Sequence, residues 1–379
     1  LGDKDKTFEE IFGQFASSKA TVSGTVTKVT KDHVFIKSGR KTTKVPLYNN
    51  FPLKGHSLYH SDVKVKKGDK VKKGDLLADT TFTKDGKLAL GTNLRTAYMP
   101  FKGYNFEDGV IISETGAKKL TSEHIYPKNT NLKGDVITKK NTFLNEHPYV
   151  FRAKQVSNIN EDGIIRVGSK VQPGDPLVLK MKKPEMSQYM SKRRKFGGRS
   201  LKYRDKSLVW GKDTPGIVTD IIKKRDGDVV VYVKTEESAV QGDKIVGRHG
   251  NKGIITRGIP DNEMPYKINK EGKKERIDIV LNPMGVPGRI NLGQVLETVA
   301  GKVAESDGKT YKVRNFEAGK DYLTELKKEV KSKGLQDKEA LINPDTGKPY
   351  DQKILEGQQY IFKLKHKVDK KMSARSGGP

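Results

Sequence analysis

The chain has 379 residues, of which 34% are hydrophobic and 32% charged, and its 74 Lys and Arg against 46 Asp and Glu leave a net charge of +28. That length suggests two or three domains of about 150 residues. The absence of cysteine excludes disulfide scaffolds, Cys-based zinc sites and thiol nucleophiles. No apolar run approaches the roughly 20 residues of a membrane-crossing helix, and the charged opening LGDKDKTFEE has no signal-peptide core. The charge favours a polyanionic partner, because Lys and Arg gain affinity by releasing the counterions of phosphates. The chain begins at Leu1 and ends SARSGGP, and reads as a piece of something longer.

In chain order, 20–39 alternates β-branched and polar residues around turn signals, the pattern of half-buried strands. The phrase V-x-x-G-D-x-L occurs in 63–79 and again in 168–180, each time a tight Gly-Asp turn between short strands. A third Gly-Asp turn falls at 241–244. Residues 216–234 form a β-hairpin about Arg225-Asp226-Gly227. Two helices stand out. The first, 291–303, puts Val295, Leu296, Val299, Ala300 and Val303 on one face, with Asn291 as N-cap. The second, 321–334, aligns Leu323, Leu326 and Val330 and stops at Gly334. The fold class is mainly β with some α, built around a barrel.

Several segments carry residues suited to phosphate chemistry. The pair Glu107 and Asp108 sits where an aromatic turn enters an apolar strand, and can present a carboxylate to a divalent metal; an acidic surface turn is the plainer reading. The stretch 241–257 sets Lys244, Arg248, His249 and Lys252 among four glycines, which let backbone approach a polyanion while cations supply charge. It is no Walker loop, since Lys252 is followed by Gly253. Arg289 precedes a helix start, a good place for a triphosphate tail or for capping local carbonyls. The basic run 181–206, with Lys192, Arg193, Arg194 and Lys195, is either a phosphate-contacting arm or a solvated linker. The basic C-terminal stretch 362–379 holds Arg375.

Four motifs occur in order: AYMPFKGYNFEDGVIISE, GDKIVGRHGNKGIITRGIPDNEMPY, DIVLNPMGVPGRINLGQVLET and HKVDKKMSARSGGP. Together they resemble the C-terminal half of the β subunit of multisubunit DNA-directed RNA polymerase, in its bacterial form. The resemblance is close over 60–119, 214–300 and 345–379. It implies a nucleotidyltransferase that acts only in a complex. The fold implied is a double-psi β-barrel, a barrel-sandwich hybrid and a flap-like β insertion. It divides the chain at 1–119 (sandwich hybrid and first barrel part), 120–213 (flap-like insertion), 214–300 (rest of the barrel) and 301–379 (helical, basic segment).

The resemblance also implies roles. Lys244 and Lys252 lie near the RNA 3′ end and the incoming phosphates, and Arg289 contacts the triphosphate. Glu107 and Asp108 stand near a second Mg2+, with Asp108 its ligand through water, while the main Mg2+ site belongs to a β′-like subunit and no zinc is bound here. Arg248, His249, Lys192, Arg193, Arg194, Lys195 and Arg375 contact nucleic acid. Implied partners are that β′-like subunit, the N-terminal part of β, α-type assembly subunits, DNA template, RNA product and NTPs, with a sigma-like factor at the flap, in the cytoplasm and away from membranes. Ser373 stands where the family's ending motif commonly carries His. A stand-alone RNA-binding structural protein, or a biotinyl- or lipoyl-type sandwich with Lys180 modified at a hairpin tip, are the readings from other classes.

Overall fold

The computed structural model describes residues 6–182, 203–269, 271–314 and 317–364. Lys192, Arg193, Arg194, Lys195, Ser373 and Arg375 lie outside the described residues.

At the centre six strands close on themselves. Around the ring they run Thr92–Tyr98, Ile279–Leu281, Gly109–Ser113, Lys252–Ile259, Lys244–Gly247 and Ile354–Lys363, the last returning to the first. Two pairings are parallel: 92–98 with 279–281, and 109–113 with 252–259. The other four are antiparallel. This is the double-psi barrel that the resemblance implies. Closure leaves no edge among the six strands, so their backbone groups are satisfied by one another. Alternation along 109–113 sends Val110 and Ile112 into one apolar cluster and Ile111 into another. The first cluster, with Leu94, Ile245, Ile255, Ile279 and Ile361, comes almost wholly from ring strands. The second joins Met264, Ile277 and Leu341 from flanking segments to the ring's other face.

Two strand pairings cross the boundaries drawn on sequence. The longest ring strand, 354–363, comes from the segment assigned to a helical C-terminal region, and its pairing with 92–98 closes the barrel. No hydrophobic alternation marks ILEGQQYIFK as a strand, because Glu356 and Gln359 are buried polar residues in it. The hairpin of Gly216–Lys223 and Val229–Glu237 joins Ser122–Asn129 and Lys170–Val171 in a separate four-stranded sheet. Its Val218, Val229, Val231 and Val233 pack on Phe143 and Trp210. This hairpin, read on sequence as part of the barrel segment 214–300, thus pairs with strands of the inserted segment 120–213 and not with the ring. A third apolar cluster, with Val26, Val34, Ile36 and Leu77, forms under the N-terminal sheet.

The Gly-Asp turns take one form in every copy. Gly68, Gly74, Gly174 and Gly242 have φ of 100°, 94°, 85° and 90°, the conformation that the third position of a type II turn requires. In each, the following Asp accepts from the backbone N–H three residues earlier, at 2.7, 2.7, 2.8 and 3.2 Å. Lys180 is not at a hairpin tip. It lies buried in a short strand, its ammonium 2.8 Å from the Thr130 carbonyl and 2.9 Å from Asp135, which removes the carrier-domain reading.

The first helix of the sequence reading runs Gly293–Asp307 and is not capped by Asn291. Asn291 instead donates its side-chain amide to the His249 carbonyl at 2.6 Å. The buried face of this helix is Gln294, Thr298, Lys302 and Val303, so of the expected apolar face only Val303 is fully buried. The helix sits tightly on strand 354–363: a Cβ on Gly357 would stand 2.2 Å from the Thr298 carbonyl. The second helix, Tyr322–Ser332, is capped by Asp321 and followed by Gly334 at φ 61°. Its Leu326 is buried while Leu323 is exposed.

Candidate active-centre cleft

The turn before strand 109–113 is braced by a buried asparagine. Asn105 accepts from the Phe101 N–H at 2.9 Å and donates to the Met99 carbonyl at 2.7 Å. The chain then passes through Glu107 at φ 50°, a left-handed conformation in which a non-glycine residue is uncommon. That twist delivers Asp108 to the mouth of the barrel. Across from it, the Asp108 carbonyl accepts from Ile254 N–H at 3.0 Å. The approach requires glycine at 253, since a Cβ there would stand 2.5 Å from the Val110 side chain. Lys252, one residue earlier, is thereby brought beside the acidic pair.

The third wall is the segment 282–294. Asn282 donates to the Glu107 carbonyl at 3.3 Å and accepts from the Met284 N–H at 3.0 Å, tying this loop to the acidic turn. A short helix, Gly285–Arg289, follows, and the Arg289 guanidinium pairs directly with the Asp108 carboxylate. Glu107, Asp108, Lys252, Asn251, Asn282, Arg289 and Gln294 line one cleft. The sequence reading treated Arg289 and Asp108 as having separate tasks; the fold makes them an ion pair.

Lys244 does not line this cleft. It begins strand 244–247, where its backbone pairs with Ile254 and its carbonyl accepts from Leu364 N–H at 2.8 Å. Arg248 and His249 are also engaged inside the chain. Both contact Glu297, His249 at 2.7 Å and Arg248 at 3.6 Å, and the Arg248 guanidinium lies 4.3 Å from the Tyr360 ring centroid.

Residues that sequence reasoning missed form the cleft's floor. Tyr98 donates to Gln294 at 3.0 Å and accepts from Gln359 at 2.6 Å. Gln359 donates further to Thr298 at 2.8 Å. Burial pushes the Tyr98 phenol up to about 12, against the opposing effect of the Gln359 and Thr298 hydrogen bonds, so it stays neutral. Only the placement of Gln294 on a helix face just after Arg289 could have suggested this floor.

The cleft offers two carboxylates, one of them already held by a guanidinium, so waters and phosphate oxygens would have to complete the octahedral shell of an Mg2+ ion there. Among the described residues no group of three acidic or histidine side chains could hold a metal, and no helix is long and apolar enough to cross a membrane.

The chain belongs to the family of RNA polymerase Rpb2, domain 6, whose model matches residues 19–379. Among its relatives is a DNA-directed RNA polymerase subunit beta from Caldicellulosiruptor bescii, 35% identical over 92% of this chain and 28% of the relative. Another, of the same name, from Hordeum vulgare is 34% identical over 94% of this chain and 35% of its own length. A third, from Acetivibrio thermocellus, is 34% identical over 94% of the chain. The chain thus spans about a third of the length of these relatives.

Proposed function

We propose that this chain supplies the part of a DNA-directed RNA polymerase active centre that holds the incoming nucleoside triphosphate against the RNA 3′ end. What supports this most is that Lys252, Arg289, Glu107 and Asp108, from three separate chain segments, meet at one barrel mouth in a member of this family. Nucleotidyl transfer depends on positioning and on neutralising charge more than on covalent help. Lys252, exposed beside two glycines, is the cation best placed to stabilise charge as pyrophosphate departs. Arg289 is the fork for the triphosphate, and it trades its Asp108 partner for phosphate oxygens when the nucleotide arrives. Lys244, set back from the cleft, serves from the strand behind it.

On this reading Mg2+ is held chiefly by a β′-like subunit. The remaining partners are the N-terminal part of β, α-type assembly subunits, DNA and RNA, with the inserted lobe as the place for a sigma-like factor. The charge of +28 serves sequence-independent phosphate contacts.

In the assembled enzyme, Lys252→Ala should slow single-nucleotide addition on a preformed scaffold by about a hundredfold. Scaffold affinity should change little, because many other cations share that task. A wild-type addition rate would overturn the assignment.

A further inference from the structure

Lys252 follows a four-residue turn, Arg248 to Asn251, that forms the tip of the hairpin between strands 244–247 and 252–259. The Gly247 N–H closes this tip on the Asn251 carbonyl at 3.0 Å. The tip turns through Gly250 at φ 75°, a conformation that glycine adopts without strain. Its position is set by helix 293–307, through one carboxylate above all. Glu297, 15% exposed at its side chain, accepts from the Tyr360 N–H at 2.9 Å and lies 2.7 Å from His249 Nε2 and 3.6 Å from the Arg248 guanidinium. Asn291 holds the His249 carbonyl at 2.6 Å, and a Cβ on Gly293 would stand 2.5 Å from His249 Nδ1. Arg248 also reaches Glu9 of the N-terminal helix at 3.7 Å, a longer contact.

We infer that Glu297 is a positioning residue for Lys252. Two walls of the cleft come from different segments: the hairpin that carries Lys252, and the 282–294 segment that carries Arg289. Glu297 belongs to the helix that continues the second wall and grips the tip of the first. It therefore fixes how far the Lys252 ammonium stands from the Arg289 fork. The same carboxylate takes the Tyr360 N–H, so both walls are referred to the longest barrel strand. Because Arg248 and His249 are spent on this grip, their part in the site is to aim Lys252. This rests on the role proposed above for Lys252.

The test is single-nucleotide addition by the assembled enzyme, with scaffold affinity measured in parallel. Glu297→Ala should slow addition by between about ten- and a hundredfold, the scale set by an ångström of misplacement, with scaffold affinity unchanged. Glu297→Gln, which retains an acceptor for the Tyr360 N–H, should recover most of the rate. In a Lys252→Ala background, Glu297→Ala should add less than about a twofold further loss, since residues acting as a unit are not additive. His249→Ala breaks the same grip without touching the helix, and should behave alike if Glu297→Ala does not fold. Full additivity with Lys252→Ala, a wild-type rate in Glu297→Ala, or weakened scaffold binding in His249→Ala would each overturn the inference. A wild-type rate in Lys252→Ala would instead overturn the underlying role of that lysine.

Discussion

The inserted lobe and the seam between the barrel and helix 293–307 are both buried, yet they are built from opposite materials. The lobe packs Phe143, Trp210, Leu177, Val231 and their neighbours into an apolar cluster, with one buried ion pair, Lys180–Asp135, beside it. At the seam, Glu356, fully buried, receives Lys302 at 3.2 Å, Lys267 at 2.8 Å and Arg95 at 3.3 Å. Arg95 continues to Glu305 at 2.5 Å and Glu275 at 3.1 Å, and Lys302 to Glu339 at 3.1 Å. The difference is one of directionality. Apolar burial is proportional to area and indifferent to geometry, whereas buried charge is tolerable only when each partner is present and aimed. The lobe can be repacked in many ways; the seam has one registration, which is the registration that sets the cleft.

The largest expected effects separate the two by location. Glu356→Ala should cost about 3–5 kcal/mol, because it strands three cations in a buried site. Phe143→Ala should cost a comparable 3–5 kcal/mol through the cavity it leaves. The chain has a single tryptophan, Trp210, and it lies in the lobe. Its fluorescence should therefore shift its denaturant midpoint in Phe143→Ala, while amide exchange along strand 354–363 should accelerate in Glu356→Ala. The same probe responding to both variants would mean that the two regions unfold as one unit and would break the comparison.

Acid should act on the seam through a buried carboxylate. Burial by itself would raise the Glu356 carboxyl, but Lys302, Lys267 and Arg95 outweigh it and hold it below its ordinary 4.5. A depressed folded pKa means that the stabilisation is complete above the unfolded value and is lost as pH falls through the folded one. Exchange along 354–363 should thus be flat with pH down to about 4.5 and should rise, after correction for intrinsic exchange, only below it. The Trp210 signal should hold through the onset of that loss. The smallest effect is expected at Leu323, on the face of helix 322–332 left in solvent, where Ala should change stability by no more than about 0.5 kcal/mol.

The same contrast explains what could be read from the chain. The 216–237 hairpin, the Gly-Asp turns and helix 322–332 announce themselves through alternation, turn residues or caps, all local signals. Strand 354–363 and the true inner face of helix 293–307 are buried by polar side chains whose partners lie far away in sequence, so no local pattern marks them. The cleft was half legible. Lys252, Arg289, Glu107 and Asp108 are unusual residues in unusual surroundings, whereas Glu297 and Tyr98 acquire their parts only through distant partners: Glu297 from residues 248, 249 and 360, Tyr98 from 294 and 359.

The two partners of the cleft's ion pair each adjoin a residue with a left-handed backbone. Glu107, before Asp108, has φ 50°, and Ile290, after Arg289, has φ 51°. For a branched side chain such as isoleucine this is a true outlier, and each residue forgoes on the order of 1–3 kcal/mol that glycine would not. Selection for durability alone would install glycine at both places. Glu107→Gly and Ile290→Gly are thus routes to a sturdier protein, and what they would surrender is the aim of Asp108 and Arg289. The mouth of this barrel is kept deliberately below its own optimum of stability, as sites that must act commonly are.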